Sequence, residues 1–452
     1  MRITTELPIT LGFIKEALGQ SATFTDFKRR INAITTDTRE ISKNDIFIAL
    51  GGENFDGENF VNDAKLKGAY TISSKTKDSD ILVKNTKSAL LDLAEAYKEN
   101  LNIVHTVAVT GSVGKTTTKN ILSSLLSHKY KVHATYKNLN NEIGVPITIF
   151  STPKDTEVLV IEAGMNHSGE LFGISKCIKP DIAIITKIGT AHIGNFGSRE
   201  KIAQAKSEIA AGMTSQNILI PYGETLLYGL LNFYTFSTEN EKADYYLSVR
   251  SVLENKITFS YKCDRFYIEN AEINALALHL PECLGFAISA MEKLAFDKDD
   301  IIEAINKTDF SGYDKKIKAG SNLIINDAYN SSMEAVFLAI KTLNAYKGTR
   351  SALIGDMLEL GNFSEELHYE IGRALAKANI SKLYLFGEYS EYIKKGALKE
   401  GFSKNSIFVN ENTNEPEVTA EQIKRHSFGE VILFKASRKL RLERIIEILS
   451  KI

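Results

Sequence analysis

Cysteine is scarce: Cys177, Cys263 and Cys283 are odd in number, and no two of them form a C-x-x-C pair. That excludes a disulfide framework and a thiolate zinc site, and the three read as buried thiols in a reducing compartment. Long apolar runs are missing too. None approaches the roughly 20 residues of a membrane-spanning helix, and Met1 to Leu11 lacks the basic and apolar regions of a secretory leader. The expected location is therefore the cytoplasm. Nor is there an excess of charge, since 55 Lys and Arg face 56 Asp and Glu for a net -1. Such a chain has no global attraction to nucleic acid or to an anionic membrane, so neither is an expected partner and any anionic ligand must be bound locally. Fixed-period repeats and low-complexity tracts are also absent.

What is present is an ordinary globular composition, 43% apolar and 25% charged. At 452 residues the chain is too long for one core and suggests roughly three units. The first mixes short strands with turns: Asp45 to Leu50 is a strand pattern, followed by the Gly51-Gly52 and Asp56-Gly57 breakers. Ser88 to Tyr97 then predicts an amphipathic helix with Leu90, Leu91, Leu93, Ala94 and Tyr97 on its apolar face, so the first boundary falls near residue 85.

Four apolar runs in the middle third, Val104 to Val109, Val158 to Ile161, Ile182 to Ile185 and Ile218 to Ile220, fit buried parallel strands. Residues 232 to 275 alternate aromatic and polar, which predicts an antiparallel appendage. After a second boundary near residue 312, strand patterns at Leu323 to Ile325, Ala352 to Ile354, Leu383 to Phe386 and Val431 to Phe434 predict a second doubly wound α/β domain.

The strongest chemical signal is Val107 to Thr118, where a strand runs through a Gly-containing turn into a helix beginning near Lys115. Gly111 and Gly114 let the backbone curl so that N–H groups point inward, the helix N-terminus adds positive potential, Lys115 can reach terminal phosphates and Thr116 can ligate Mg²⁺. The spacing G-x-x-G-K-T is shorter than the general phosphate loop, and the strand-turn-helix context is what supports it. In an open parallel sheet, metal ligands belong at neighbouring strand ends. Glu162 follows Val158 to Ile161 directly, and His192 lies in the loop after Ile182 to Ile185. Each also has a plain reading, as a solvated strand-end carboxylate and a loop histidine.

Several strings, in order along nearly the whole chain, resemble the Mur ligase family. Thr110-Gly-Ser-Val-Gly-Lys-Thr-Thr117 is similar to its short phosphate loop, and Asn138-Leu-Asn-Asn-Glu-Ile-Gly-Val-Pro146 to its Asn-rich segment. Glu162 to Glu170, Ile188 to Ser198 and Ala203 to Ile209 are similar to the segments carrying its metal-binding strand end, its metal-ligand histidine and a lysine carbamylated in many members. The resemblance implies an α/β chain of three domains: a small UDP-sugar-binding domain over 1–85, a central phosphate-loop ATPase-type parallel-sheet domain over 86–311, and a Rossmann-like domain over 312–452 for the incoming substrate.

ATP and Mg²⁺ are the implied cofactors. Thr110, Gly111, Ser112, Val113, Gly114, Lys115, Thr116, Thr117, Asn138 and Asn141 are the implied nucleotide contacts, joined by Asp327, Tyr329 and Asn330 of Asn326-Asp-Ala-Tyr-Asn330. Thr116, Glu162, His192 and Lys206 as a carbamate are the implied metal ligands, and Lys115, Glu162, His192 and Lys206 the catalytic set. A lysine that takes up CO₂ needs a neutral amine, which burial near cations would favour, and the plain alternative for Lys206 is an ordinary surface helix lysine. Thr38 and Arg39 in Thr36-Asp-Thr-Arg39 resemble the UDP-sugar site, and Arg39 serves either a diphosphate or a structural ion pair. Asp356 in Ile354 to Gly361, and Lys435, Ser437 and Arg438 in Lys435-Ala-Ser-Arg438, resemble substrate segments of the D-alanyl-D-alanine-adding member.

That member joins the dipeptide D-alanyl-D-alanine to UDP-N-acetylmuramoyl-tripeptide through an acyl phosphate, an expectation that includes a monomer. Rival readings are a third-residue-adding ligase, a folylpolyglutamate synthetase, and a Mur-like ATP-binding partner without ligase activity. Three positions depart from the family pattern. His279 to Ala287 matches only faintly the segment that usually closes the central domain, Lys315 or Lys316 stands near a usual Arg, and Ser331-Ser332-Met333 follows Tyr-Asn.

Overall fold

Val158–Glu162 and Ile182–Ile185 are buried at every position, as are five of the six residues of His105–Thr110. Strands covered on both faces need continuous apolar runs, which is why these segments read so clearly. They lie side by side towards one edge of a nine-stranded sheet, where His105–Thr110 pairs in parallel with Val158–Glu162 on one side and Ile182–Ile185 on the other. Their carboxyl ends therefore share one edge. The computed structural model describes residues 1–52, 55–253, 256–275, 277–313 and 316–451, so that Lys315 lies outside the described residues.

The same sheet continues through Ile218–Pro221, Tyr234–Ser237, Tyr245–Leu253, Lys256–Lys262 and Tyr267–Ile273. The described residues between 232 and 275 thus extend the sheet, where an antiparallel appendage was expected. Tyr234–Ser237 and Tyr245–Leu253 still pair in parallel, and only the last two strands are antiparallel. The phosphate loop, Glu162 and His192 consequently share one continuous platform.

A second sheet of six strands runs in the order Lys316–Ala319, Asn322–Asn326, Val431–Lys435, Arg350–Gly355, Lys382–Phe386 and Ile407–Asn410. Its first pair is antiparallel and the rest are parallel, as expected of a doubly wound layer with one added edge strand. A smaller five-stranded sheet uses residues between Arg2 and Leu82.

The helix Thr86–Glu99 starts where Asn85 accepts from the Lys87 and Ser88 amides, and it buries Leu90, Leu91, Leu93, Ala94 and Tyr97. Tyr97 also accepts a hydrogen bond from the Leu7 amide at 3.2 Å, and its ring meets that of Phe150 edge-on, so this helix ties the small N-terminal sheet to the central unit. All three cysteines are free and buried. Among the described residues, no helix is long and apolar enough to cross a membrane.

Candidate active site

Gly111 has φ 142°, and a Cβ there would lie 2.0 Å from Thr186 Oγ1, so no side chain fits. Gly114 has φ 89° and caps the helix Lys115–Leu126 without a side-chain hydrogen bond, which leaves the first amides of that helix open to an anion. Thr186 Oγ1 donates to Val113 O at 2.5 Å, and Ser112 Oγ accepts from the Gly189 amide at 2.9 Å, so the neighbouring strand end pins the loop. Thr110 is buried beneath it, while Ser112, Val113 and Thr117 line the cleft. Lys115 Nζ donates to Gly111 O at 2.7 Å. Burial lowers its pKa, opposed by the Glu162 carboxylate.

Glu162 ends its strand only 2% exposed, with Thr116 Oγ1 donating to one carboxylate oxygen at 2.9 Å and Asn140 Nδ2 to the other at 2.8 Å. Two predicted metal ligands thus meet directly. Asn140 went unforeseen because three asparagines crowd one segment and sequence does not say which faces inward. Asn138 lines the same cleft, whereas Asn141, also on its wall, accepts from the Ile143 and Gly144 amides and so starts the helix Gly144–Phe150.

Lys206, on the helix Arg199–Ser207, is 2% exposed. Burial, and then the charge of Lys115, push its pKa far down. His192 has φ 63°, and its Nδ1 lies 2.5 Å from Glu359 Oε2. Among the described residues, no group of three His, Cys, Asp or Glu is arranged to hold a metal. The predicted donors include only two residues of those types, with a hydroxyl and a lysine besides.

From the six-stranded sheet, Asp327, Tyr329, Asn330, Lys435 and Arg438 reach the same cleft. Lys435 is 2% exposed and pairs with Asp327 Oδ2 at 3.1 Å. Asp356 and Ser437 are not on its wall. Asp356 accepts from the Glu388 and Tyr389 amides at 2.9 and 3.0 Å, and Ser437 Oγ accepts from the Leu358 amide at 3.0 Å, so both shape loops. Thr38 and Arg39 also lie off this cleft, and Arg39 pairs with Asp37 at 2.6 Å with its side chain 87% exposed, which is the ion-pair arrangement.

The atypical segment beginning at His279 does reach the site. His279, Glu282 and Cys283 line the cleft, and a Cβ on Gly114 would lie 3.6 Å from Cys283 Sγ. The cavity measures about 1230 Å³. That exceeds the roughly 300–1,000 Å³ of a single small-molecule pocket and leaves room for a nucleotide beside a second substrate.

Comparison with known proteins agrees with this geometry. Residues 30–116, 109–280 and 315–438 match the family models described as Mur ligase family, catalytic domain; Mur ligase middle domain; and Mur ligase, glutamate ligase domain. The chain is 36% identical to the UDP-N-acetylmuramoyl-tripeptide--D-alanyl-D-alanine ligase of Bacillus subtilis, over 92% of this chain and 93% of that one. A crystal structure of MurF from Acinetobacter baumannii superposes with a TM-score of 0.87 at 26% identity, covering 99% of both chains. The MurF ligase of Thermotoga maritima in complex with ADP superposes at 0.79 and 30% identity, covering 92% of this chain and 97% of that one. Similarity of this extent in sequence and fold, spread over the three large sheets, means that the chain belongs to the Mur ligase family.

Proposed function

We propose that the chain ligates D-alanyl-D-alanine to UDP-N-acetylmuramoyl-tripeptide at the expense of ATP, in the cytoplasm, as a step in building peptidoglycan precursor. One observation carries the reading. The open helix N-terminus, the Thr116–Glu162 pair and the buried Lys206 line one cavity that also takes Asp327, Lys435 and Arg438 from the second sheet. A nucleotide on the loop therefore lies beside a second set of polar groups. The proposed division of labour is 1–85 for UDP-sugar, 86–311 for ATP and 312–452 for the dipeptide, with Thr38 and Arg39 on the UDP-sugar side.

In this mechanism the terminal carboxylate of the tripeptide attacks the γ-phosphorus, and ADP leaves with the electrons of the broken P–O bond. The amine of the dipeptide then attacks the acyl phosphate, loses a proton and expels phosphate. Carboxylate and triphosphate repel, so catalysis is mainly neutralisation and alignment. Lys115 would exchange Gly111 O for a phosphate oxygen, Asp327 would accept from a ribose hydroxyl, and Arg438 suits a carboxylate of the incoming dipeptide.

The hard oxygens of Thr116 and Glu162 fit Mg²⁺, with His192 and Lys206 completing the set. When bound, the ion screens the charges that must approach. The lowered pKa of Lys206 favours the neutral amine, which can add to CO₂, form an N–C bond and release a proton to leave an anionic carbamate. Phosphate release dependent on both UDP-tripeptide and D-alanyl-D-alanine tests the reading. Release with ATP alone, or with glutamate or diaminopimelate as the amine, would overturn it.

A further inference from the structure

The loop carrying His192 is held from the other sheet's unit at several points. Glu334, at the start of the helix Met333–Asn344, accepts from Thr190 N at 2.9 Å and from Thr190 Oγ1 at 3.1 Å. Gly189 makes room for it, because a Cβ there would lie 2.7 Å from the Glu334 carboxyl carbon. On the other side, Gly194 N donates to Glu359 O at 3.1 Å, and a Cβ on Gly194 would lie 2.6 Å from Gly361 N.

Between these two anchors His192 adopts φ 63°, and Glu359 opposite has φ 65°. Non-glycine residues in this region are strained and persist where surroundings over-determine them. Glu359 Oε2 then stands 2.5 Å from His192 Nδ1. The contact does not meet hydrogen-bond geometry, so what the structure shows is a carboxylate held in close contact with the Nδ1 edge of the ring.

We infer that Glu359 and Glu334 are positioning residues: from the C-terminal unit they orient the loop and ring of His192, so that the cation site is complete only while the two units are docked. A carboxylate on Nδ1 fixes the proton there and leaves the Nε2 lone pair for a cation. Two glutamates from one unit thereby set a ligand belonging to the other. Docking of the dipeptide side and cation binding on the ATP side become linked equilibria. The inference rests on the cation role proposed above for His192.

The test uses the full chain with ADP and Mn²⁺ as the probe, bound ion being read by electron paramagnetic resonance. Glu359→Ala is expected to weaken Mn²⁺ binding by about 10- to 100-fold, the usual cost of losing a carboxylate behind a ligand histidine. Glu359→Gln is expected to restore most of that loss, because its amide oxygen still accepts from Nδ1–H. Glu334→Ala is expected to speed hydrogen exchange at the Thr190 amide and to weaken Mn²⁺ in parallel. Wild-type Mn²⁺ affinity in Glu359→Ala, alongside a weakened His192→Ala, overturns this inference and leaves the proposed site standing. Unchanged affinity in His192→Ala overturns both. A wild-type exchange rate at Thr190 in Glu334→Ala overturns the role given to Glu334.

Discussion

Burial of Lys206 opposes stability at neutral pH, a cost that the role proposed for it in the ligation would explain. Its amine is buried and faces the charge of Lys115, both of which lower its pKa far below 10.5. Between that lowered value and 10.5, the unfolded chain carries a proton that the folded chain lacks. Falling pH therefore favours unfolding across this window, and rising pH restores stability. Lys206→Met keeps much of the apolar stem and removes the titration. In CO₂-depleted buffer it should melt above the wild type at neutral pH, with a shallower rise towards alkaline pH, while ligation is lost.

If the lysine works as a carbamate, acetate or formate should partly restore Lys206→Ala, and Lys206→Arg should stay inactive. Active Arg with no rescue of Ala would identify a working ammonium instead. Lys115→Ala should leave the melting temperature nearly unchanged but cut kcat by about 10²–10³-fold, the scale of removing one preorganised charge from a transition state. Turnover close to wild type would sink the phosphate-loop assignment.

Among the elements, the phosphate loop is the least forgiving. Gly111→Ala meets both φ 142° and a Cβ position 2.0 Å from Thr186 Oγ1, so either the loop or the adjacent strand end must move. Strain of about 1–3 kcal/mol is expected at such a position. Calorimetry should show ADP affinity falling by at least tenfold with the overall fold intact by circular dichroism, and unchanged affinity would mean that the loop tolerates another shape.

This loop was legible in sequence because its chemistry is local: glycines, lysine and threonine act within a single turn. The central strands were legible because burial on both faces demands unbroken apolar runs. The parallel pairing of Tyr234–Ser237 with the strands before and after it was not, since an alternating pattern is the same whichever way the neighbouring strand runs. Asp356 and Ser437 fall at strand ends as a substrate site would require, yet their oxygens are taken by nearby amides, which only the folded backbone reveals. The contacts of Glu334 and Glu359 likewise join segments more than a hundred residues apart, beyond the reach of any local pattern.

At the scale of the whole molecule, the site is assembled at the junction of two sheets, and the small N-terminal sheet contributes nothing to the cleft wall among the described residues. Removing residues 1–85 should accordingly spare the phosphate loop. The loss would fall on the helix Thr86–Glu99, which packs between the N-terminal helix Leu11–Leu18 and the helices Gly144–Phe150 and Glu170–Ile178, and whose Tyr97 hydroxyl would lose the Leu7 amide. A chain of residues 86–452 should therefore bind ADP with an affinity near that of the full chain, melt at a lower temperature, and associate through the newly bared helix face. It should also lose binding of UDP-N-acetylmuramoyl-tripeptide, because the diphosphate-sugar end would have no platform. Calorimetric titration with each ligand separates the two claims. Retained UDP-tripeptide binding would move the sugar site into the remaining units, whereas lost ADP binding in a chain that is still folded would show that the N-terminal sheet props the phosphate loop through that helix.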